Sequence, residues 1–173
     1  MPLEHPLRAV VFVGLPGAGK STMAQQLYLP KVPNPCYINL DDIRECVRGK
    51  VKLNRVVVEA KRIAYTQAEG AVYNGQTVVF VAPNTDVNER VELLAHLRGV
   101  LVDAGYTGYI EGVYLQTPII ECLRRNAECG RTISDSEMDD MYTALLANPP
   151  READGFSMLV KHDNSAESLR ITT

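Results

Sequence analysis

Five strand-length segments punctuate this chain, two of them unbroken apolar runs, and between them apolar residues return at helical spacing. The segments lie at 9–13, 36–39, 77–81, 109–115 and 156–161, and 77–81 reads as a parallel strand buried on both faces. Helices are predicted at 20–29, stopped by Pro30, and from Asp41 to near Gly49. A third spans 54–73, where Val56, Ala60, Ile63, Ala64 and Ala71 recur before Asn74-Gly75. A fourth, at 84–104, carries Val91, Leu94, Leu97 and Leu101 on one face; others follow at 118–129 and 134–147, the last ended by Pro149-Pro150. This alternation predicts an α/β fold with a parallel sheet of about five strands and helices on both faces. Such sheets bind ligands at the carboxyl ends of their strands, so the loops after Val13, Leu40, Val81 and Leu115 should surround one site.

The first of those loops carries the most specific signal. Gly14, Leu15, Pro16, Gly17, Ala18, Gly19, Lys20 and Ser21, followed by Thr22, fit the pattern G-x-x-x-x-G-K-[ST] of a Walker A phosphate-binding loop, which makes the fold a P-loop NTPase. Glycines let the backbone approach a phosphate and aim its N–H groups at the oxygens, and Pro16 stiffens the bend. Lys20 brings an ammonium to the β- and γ-phosphates, Ser21 offers a hydroxyl to Mg²⁺, and the helix that starts here adds the positive end of its dipole. A nucleotide, ATP, and Mg²⁺ are the ligands expected.

The second loop suggests a reaction. Asp41 and Arg44 lie three apart at a helix start, so one face presents a carboxylate and a guanidinium together. In phosphoryl transfer such a carboxylate can accept the hydroxyl proton and such an arginine can hold an anionic acceptor. The plainer alternative is that Asp41 or Asp42 only caps the helix. Beside a phosphate loop, catalysis is the reading adopted.

With 46% hydrophobic and 23% charged residues, the 173-residue chain has the composition of an ordinary folded domain. No apolar run reaches the ~18 residues of a membrane span, and MPLEHPLR lacks the apolar core of a signal peptide, so a cytoplasmic protein is expected. Four cysteines without a C-x-x-C pair and three scattered histidines point to free thiols rather than zinc. Net charge is −3, but seven basic residues between Arg44 and Arg62 face only Glu45 and Glu59, a local +5 that leaves the remainder at −8. That segment fits either a polyanion track or solvated helix surface.

GLPGAGKST followed by YINLDDIR resembles the kinase domain of bacteriophage polynucleotide kinase and its P-loop relatives. The resemblance continues through Asn84-x-x-x-Asn88-x-Arg90 and Pro118-x-x-Glu121-x-x-x-Arg125-Asn126, and covers roughly 9–147. It implies a single kinase domain over 9–162, with a lid at about 125–134 between tails at 1–8 and 163–173. It also implies Lys20 and Ser21 at the nucleotide and metal positions, Asp41 as general base and Arg44 as the arginine for the acceptor phosphate. Relatives carry R-N-x-x-R in the lid, whereas here Arg131 follows Arg125 at a spacing two residues longer; Arg131 is assigned the catalytic lid role with Arg125 as the reserve, and Arg125 a place beside the nucleotide. Ala82 stands where relatives have an aspartate. The resemblance implies a hydroxyl on nucleic acid as acceptor, with a hydroxymethylated pyrimidine in DNA, 5-hydroxymethyluracil, preferred to a 5′-hydroxyl end. Phage kinases acting on that base look like this compact form. A small-molecule or nucleotide kinase and a nucleotide-dependent switch remain as alternatives, and oligomeric state stays open.

Overall fold

The computed structural model describes residues 7–130 and 133–164. Strands β1 (Arg8–Val13), β2 (Pro35–Asn39), β3 (Thr77–Val81), β4 (Tyr109–Gln116) and β5 (Met158–Asp163) form one sheet in the order β2-β3-β1-β4-β5, with every neighbouring pair parallel. Side chains alternate between the faces of a strand, yet Ala9, Val10, Val11, Phe12 and Val13 are all fully buried. Both faces of the central strand are therefore covered, as the apolar runs require of a parallel sheet. The covering helices are α1 (Lys20–Met23), α2 (Leu40–Val47), α3 (Val56–Tyr73), α4 (Val87–Asp103), α5 (Ile119–Glu128) and α6 (Asp135–Ala147). Among the described residues no helix is long and apolar enough to cross a membrane.

Three elements depart from the pattern-based expectation. The helix expected over 20–29 makes one α turn and then widens into a π turn at Ala24–Tyr28, where the Leu29 N–H bonds the Ala24 carbonyl at 2.8 Å. The wider turn sets the Tyr28 ring edge-on to Phe12, with centroids 5.2 Å apart, and its hydroxyl against Glu111, itself paired with Arg8. Burial, with the Glu111 charge second, pushes the Tyr28 phenol up. In α4 the inward face is Arg90, Leu93, Leu94, Leu97 and Leu101, while Val91 is exposed. The last strand starts at Met158 rather than at 156, because Phe156 turns into the core against Gly112, where a Cβ would lie 2.6 Å from its ring.

Arg90 explains the rotated face of α4, since a buried guanidinium must spend its donors on protein. It donates to the Asn84 and Thr85 carbonyls at 2.9 and 3.3 Å, to the Asn148 carbonyl at 2.9 Å and to Asp154 at 2.8 Å. One side chain thus ties the loop after β3 to the segment that leads into β5. Arg90→Met should destabilise the fold by about 3–5 kcal/mol in urea unfolding, because it strips three carbonyls of their buried donor and leaves the Asp154 carboxylate with the Arg151 N–H but no cation. Wild-type stability in this variant would mean that the cluster is replaceable by apolar packing.

A small satellite core positions the second loop. Val47, Val56 and Ala60 pack with Leu40, Ile43, Val51 and Ile63 and seat α2 on the start of α3, with Leu40 and Ile43 also touching the main core.

Candidate active site

The phosphate loop is held from three sides. The Gly14 N–H donates to the Pro83 carbonyl at 3.1 Å, which ties the start of the loop to the end of β3. The Ala18 carbonyl accepts from Thr117 Oγ1 at 2.9 Å and from Asn164 Nδ2 at 2.8 Å. Gly17 sits at φ 81°, where a Cβ would lie 2.7 Å from the Cys122 carbonyl, so both the backbone conformation and the contact with α5 demand glycine. Lys20 is 6% exposed, and its ammonium donates to the Gly14 and Leu15 carbonyls at 2.8 Å each. Burial raises the Cys122 thiol beneath the loop.

From β2 the chain reaches the loop through one side chain. Asn39 ends the strand, caps α2 by accepting the Asp41 N–H at 3.0 Å, and donates to Ser21 Oγ at 3.2 Å. The helix cap is therefore Asn39, which leaves the carboxylates of Asp41 and Asp42 for other partners. Arg44 donates through Nη1 to Asp41 Oδ1 at 2.9 Å, and its Nε is shielded from solvent with no hydrogen-bond partner among the described residues. Asp42 is exposed.

A cleft of about 560 Å³ opens between these parts, lined by Lys20, Ser21, Asp41, Arg125, Cys129 and Asn164 among others. Gly17, Gly19 and Thr22 also border it, while Gly14, Leu15, Pro16 and Ala18 form the loop behind and Arg44 stands beyond Asp41. Arg125 donates to the Gly17 carbonyl at 3.2 Å and to Glu121 at 2.7 Å, so it lies against the phosphate loop. Arg124 first, and Arg125 with it, hold the Glu121 carboxyl at about 2. Arg131 and its neighbour at 132 lie outside the described residues. Asn88 and Arg90 are not among the cleft residues: Asn88 is exposed and Arg90 is the buried hub described above. Asn84, at φ 51°, bonds the Phe12 carbonyl at 2.8 Å.

Asn39, Thr117, Cys129 and Asn164 are site neighbours that pattern reasoning did not single out. Asn39 had a signal, a good capping residue at a strand end two places before Asp41. Asn164 had none, because its place depends on where β5 ends.

Among the described residues no three His, Cys, Asp or Glu side chains cluster as metal ligands. The cleft instead offers the hard hydroxyl oxygen of Ser21, with the Asp41 carboxylate lining the same space. That suits Mg²⁺, which uses few protein ligands and completes its shell with water and phosphate oxygens.

The family model described as AAA domain matches residues 10–144. No curated protein matches by sequence. Among solved structures, a chain of the Pnkp1/Rnl/Hen1 RNA repair complex superposes with a TM-score of 0.70 at 19% identity, covering 84% of this chain but 46% of that one. The present chain thus spans under half the length of that relative. Mycobacterium tuberculosis APS kinase CysC, in complex with AMPPNP and APS, superposes at 0.54 with 19% identity, covering 96% and 95% of the two chains. Shikimate kinase from Acinetobacter baumannii, in complex with shikimate, superposes at 0.52 with 17% identity, covering 96% and 91%. At these identities the likeness concerns the fold.

Proposed function

The chain belongs to the AAA domain family, a family of P-loop kinase domains, and from that premise we propose that it transfers the γ-phosphate of ATP to a hydroxyl carried by nucleic acid. The observation that carries the reading is the cleft that holds Lys20, Ser21 and Asp41 together, with Arg44 bonded to Asp41 at 2.9 Å. Lys20 neutralises charge on the transferring phosphoryl group, which needs a positioned cation more than covalent help. Ser21 would hold Mg²⁺, which would supply further neutralisation of phosphate charge. Asp41 accepts the proton of the attacking hydroxyl as the new P–O bond forms and the bond to the β-phosphate oxygen breaks, releasing ADP. Arg44 uses Nη1 to orient Asp41, and the partly exposed guanidinium keeps charge for an anionic group of the acceptor. Arg125 contacts the loop from the lid side, and Arg131 is the lid arginine assigned to the spreading charge.

Nucleic acid is favoured over a small alcohol by the surface that leads away from Asp41. Arg48, which follows the end of α2, pairs with Glu45, and beyond it Lys50, Lys52 and Arg55 are exposed cations with no ion pair to a described residue. In sequence they flank Leu53, which is 82% exposed. A backbone of phosphates with intervening bases matches that alternation of charge and apolar surface. Within this class the preferred acceptor is the hydroxymethyl group of a modified pyrimidine, such as 5-hydroxymethyluracil in phage DNA, rather than a 5′-hydroxyl end. The absence of a carboxylate at Ala82 supports that preference.

Replacing Lys50, Lys52 and Arg55 together by glutamine should weaken single-stranded DNA binding and flatten its salt dependence. Loss of three phosphate contacts should reduce the slope of log K against log salt by about 2, from roughly 0.7 per contact. ATP affinity should not change. An unaltered slope, measured by fluorescence anisotropy, would return the segment to solvated helix surface.

A further inference from the structure

We infer that Asn39 is a positioning residue, which sets the metal-side hydroxyl of Ser21 and the acceptor-side carboxylate of Asp41 at a fixed spacing through one buried amide. The inference rests on the roles proposed above for those two residues. Asn39 Oδ1 accepts the Asp41 N–H at 3.0 Å, and Nδ2 donates to Ser21 Oγ and to Tyr37 Oη, at 3.2 Å each. The backbone N–H decides the orientation of the amide: a flipped group would set NH₂ against N–H, donor against donor. Both Nδ2 hydrogens are therefore engaged, and at 8% exposure water has little access to replace either bond.

This arrangement restricts Ser21 and Asp41 together. A serine hydroxyl has one proton and two lone pairs. The Asn39 N–H occupies one lone pair, which stops the hydroxyl from rotating freely and leaves the other for a cation. The same amide fixes the first turn of α2, where Asp41 stands, and Arg44 restrains the carboxylate from one turn further along. The link crosses from β2 to the phosphate loop, so the two halves of the site cannot shift independently. Reacting groups displaced by about 1 Å lose on the order of 10²-fold in rate, which makes such a brace consequential.

Asn39→Ser separates bracing from capping. A serine hydroxyl still caps α2 but is too short to reach Ser21 as well. The expected result is a kcat reduced about tenfold or more and a half-saturating Mg²⁺ concentration raised several-fold, with acceptor KM and ATP affinity in EDTA near wild type. Asn39→Asp, equal in shape and equally able to cap but without the N–H donors, should show a comparable loss of kcat, and it carries the test if the serine variant does not fold. Tyr37→Phe, which leaves the Ser21 and Asp41 bonds in place, should keep the wild-type Mg²⁺ requirement. Wild-type kcat and Mg²⁺ dependence in either folded Asn39 variant would overturn the inference and reduce the residue to a helix cap. The enhancement of nucleotide affinity by Mg²⁺ needs no acceptor and should shrink in Asn39→Ser. Failure of the wild-type protein to phosphorylate any alcohol would thus sink the kinase reading, while that binding measurement still decides the role of Asn39.

Discussion

Asp41→Asn is expected to lower kcat for phosphoryl transfer by about 10²–10⁴-fold, the usual contribution of a general base, while Asp42→Asn stays near wild type. Asp41 lines the cleft and is bonded to Arg44, whereas its neighbour is exposed and does not line it. An asparagine at this position still accepts a hydrogen bond from Arg44 and leaves the Asn39 cap intact, so the variant should fold and bind nucleotide normally. What it loses is basicity at the atom that would take the hydroxyl proton. Steady-state transfer from γ-labelled ATP measures both variants. Equal small effects would make both carboxylates surface groups, and a larger loss at Asp42 would move the base by one residue.

Lys20→Ala should lower turnover by about 10²–10³-fold, the range typical for one electrostatic donor to a charge-bearing transition state. The Lys20 ammonium bonds the Gly14 and Leu15 carbonyls of the loop itself, so its removal should leave the circular dichroism spectrum close to wild type. The ammonium is compact and mobile on its stem, which lets it exchange loop carbonyls for phosphate oxygens. Near wild-type turnover with every acceptor would take Lys20 out of the phosphate loop's chemistry.

β1 and β3 were legible because strands buried on both faces write themselves as unbroken apolar runs, and the structure has strands at all five expected places. The phosphate loop was legible because glycines, lysine and serine must occur at fixed spacing. Features governed by partners distant in sequence were harder to see. Nothing near Arg90 announces that Asn148 and Asp154 will meet it, so periodicity put Val91 on the inner face instead. The π turn at Ala24–Tyr28 accompanies contacts of Tyr28 with Phe12 and Glu111, one on each neighbouring strand. Phe156 reads as strand by composition, but Gly112 supplies the space that draws it into the core. At the site, the motif identified the charged groups, while the neutral amide of Asn39 that joins them was visible only once β2 and the phosphate loop lay side by side.

Transfer to a nucleic-acid hydroxyl is measured by the initial rate of label transfer from γ-labelled ATP, with Mg²⁺ present, into a panel of acceptors. The panel contains closed circular DNA bearing 5-hydroxymethyluracil, the same circle unmodified, linear DNA with free 5′-hydroxyl ends, RNA with such ends, and small alcohols. Transfer onto nucleic acid is predicted, with label entering the modified circle and not the unmodified one. Label confined to linear 5′-hydroxyl ends would keep nucleic acid as the acceptor and move the hydroxyl from base to sugar. Label found only in small alcohols, or in none of the acceptors, would contradict the account.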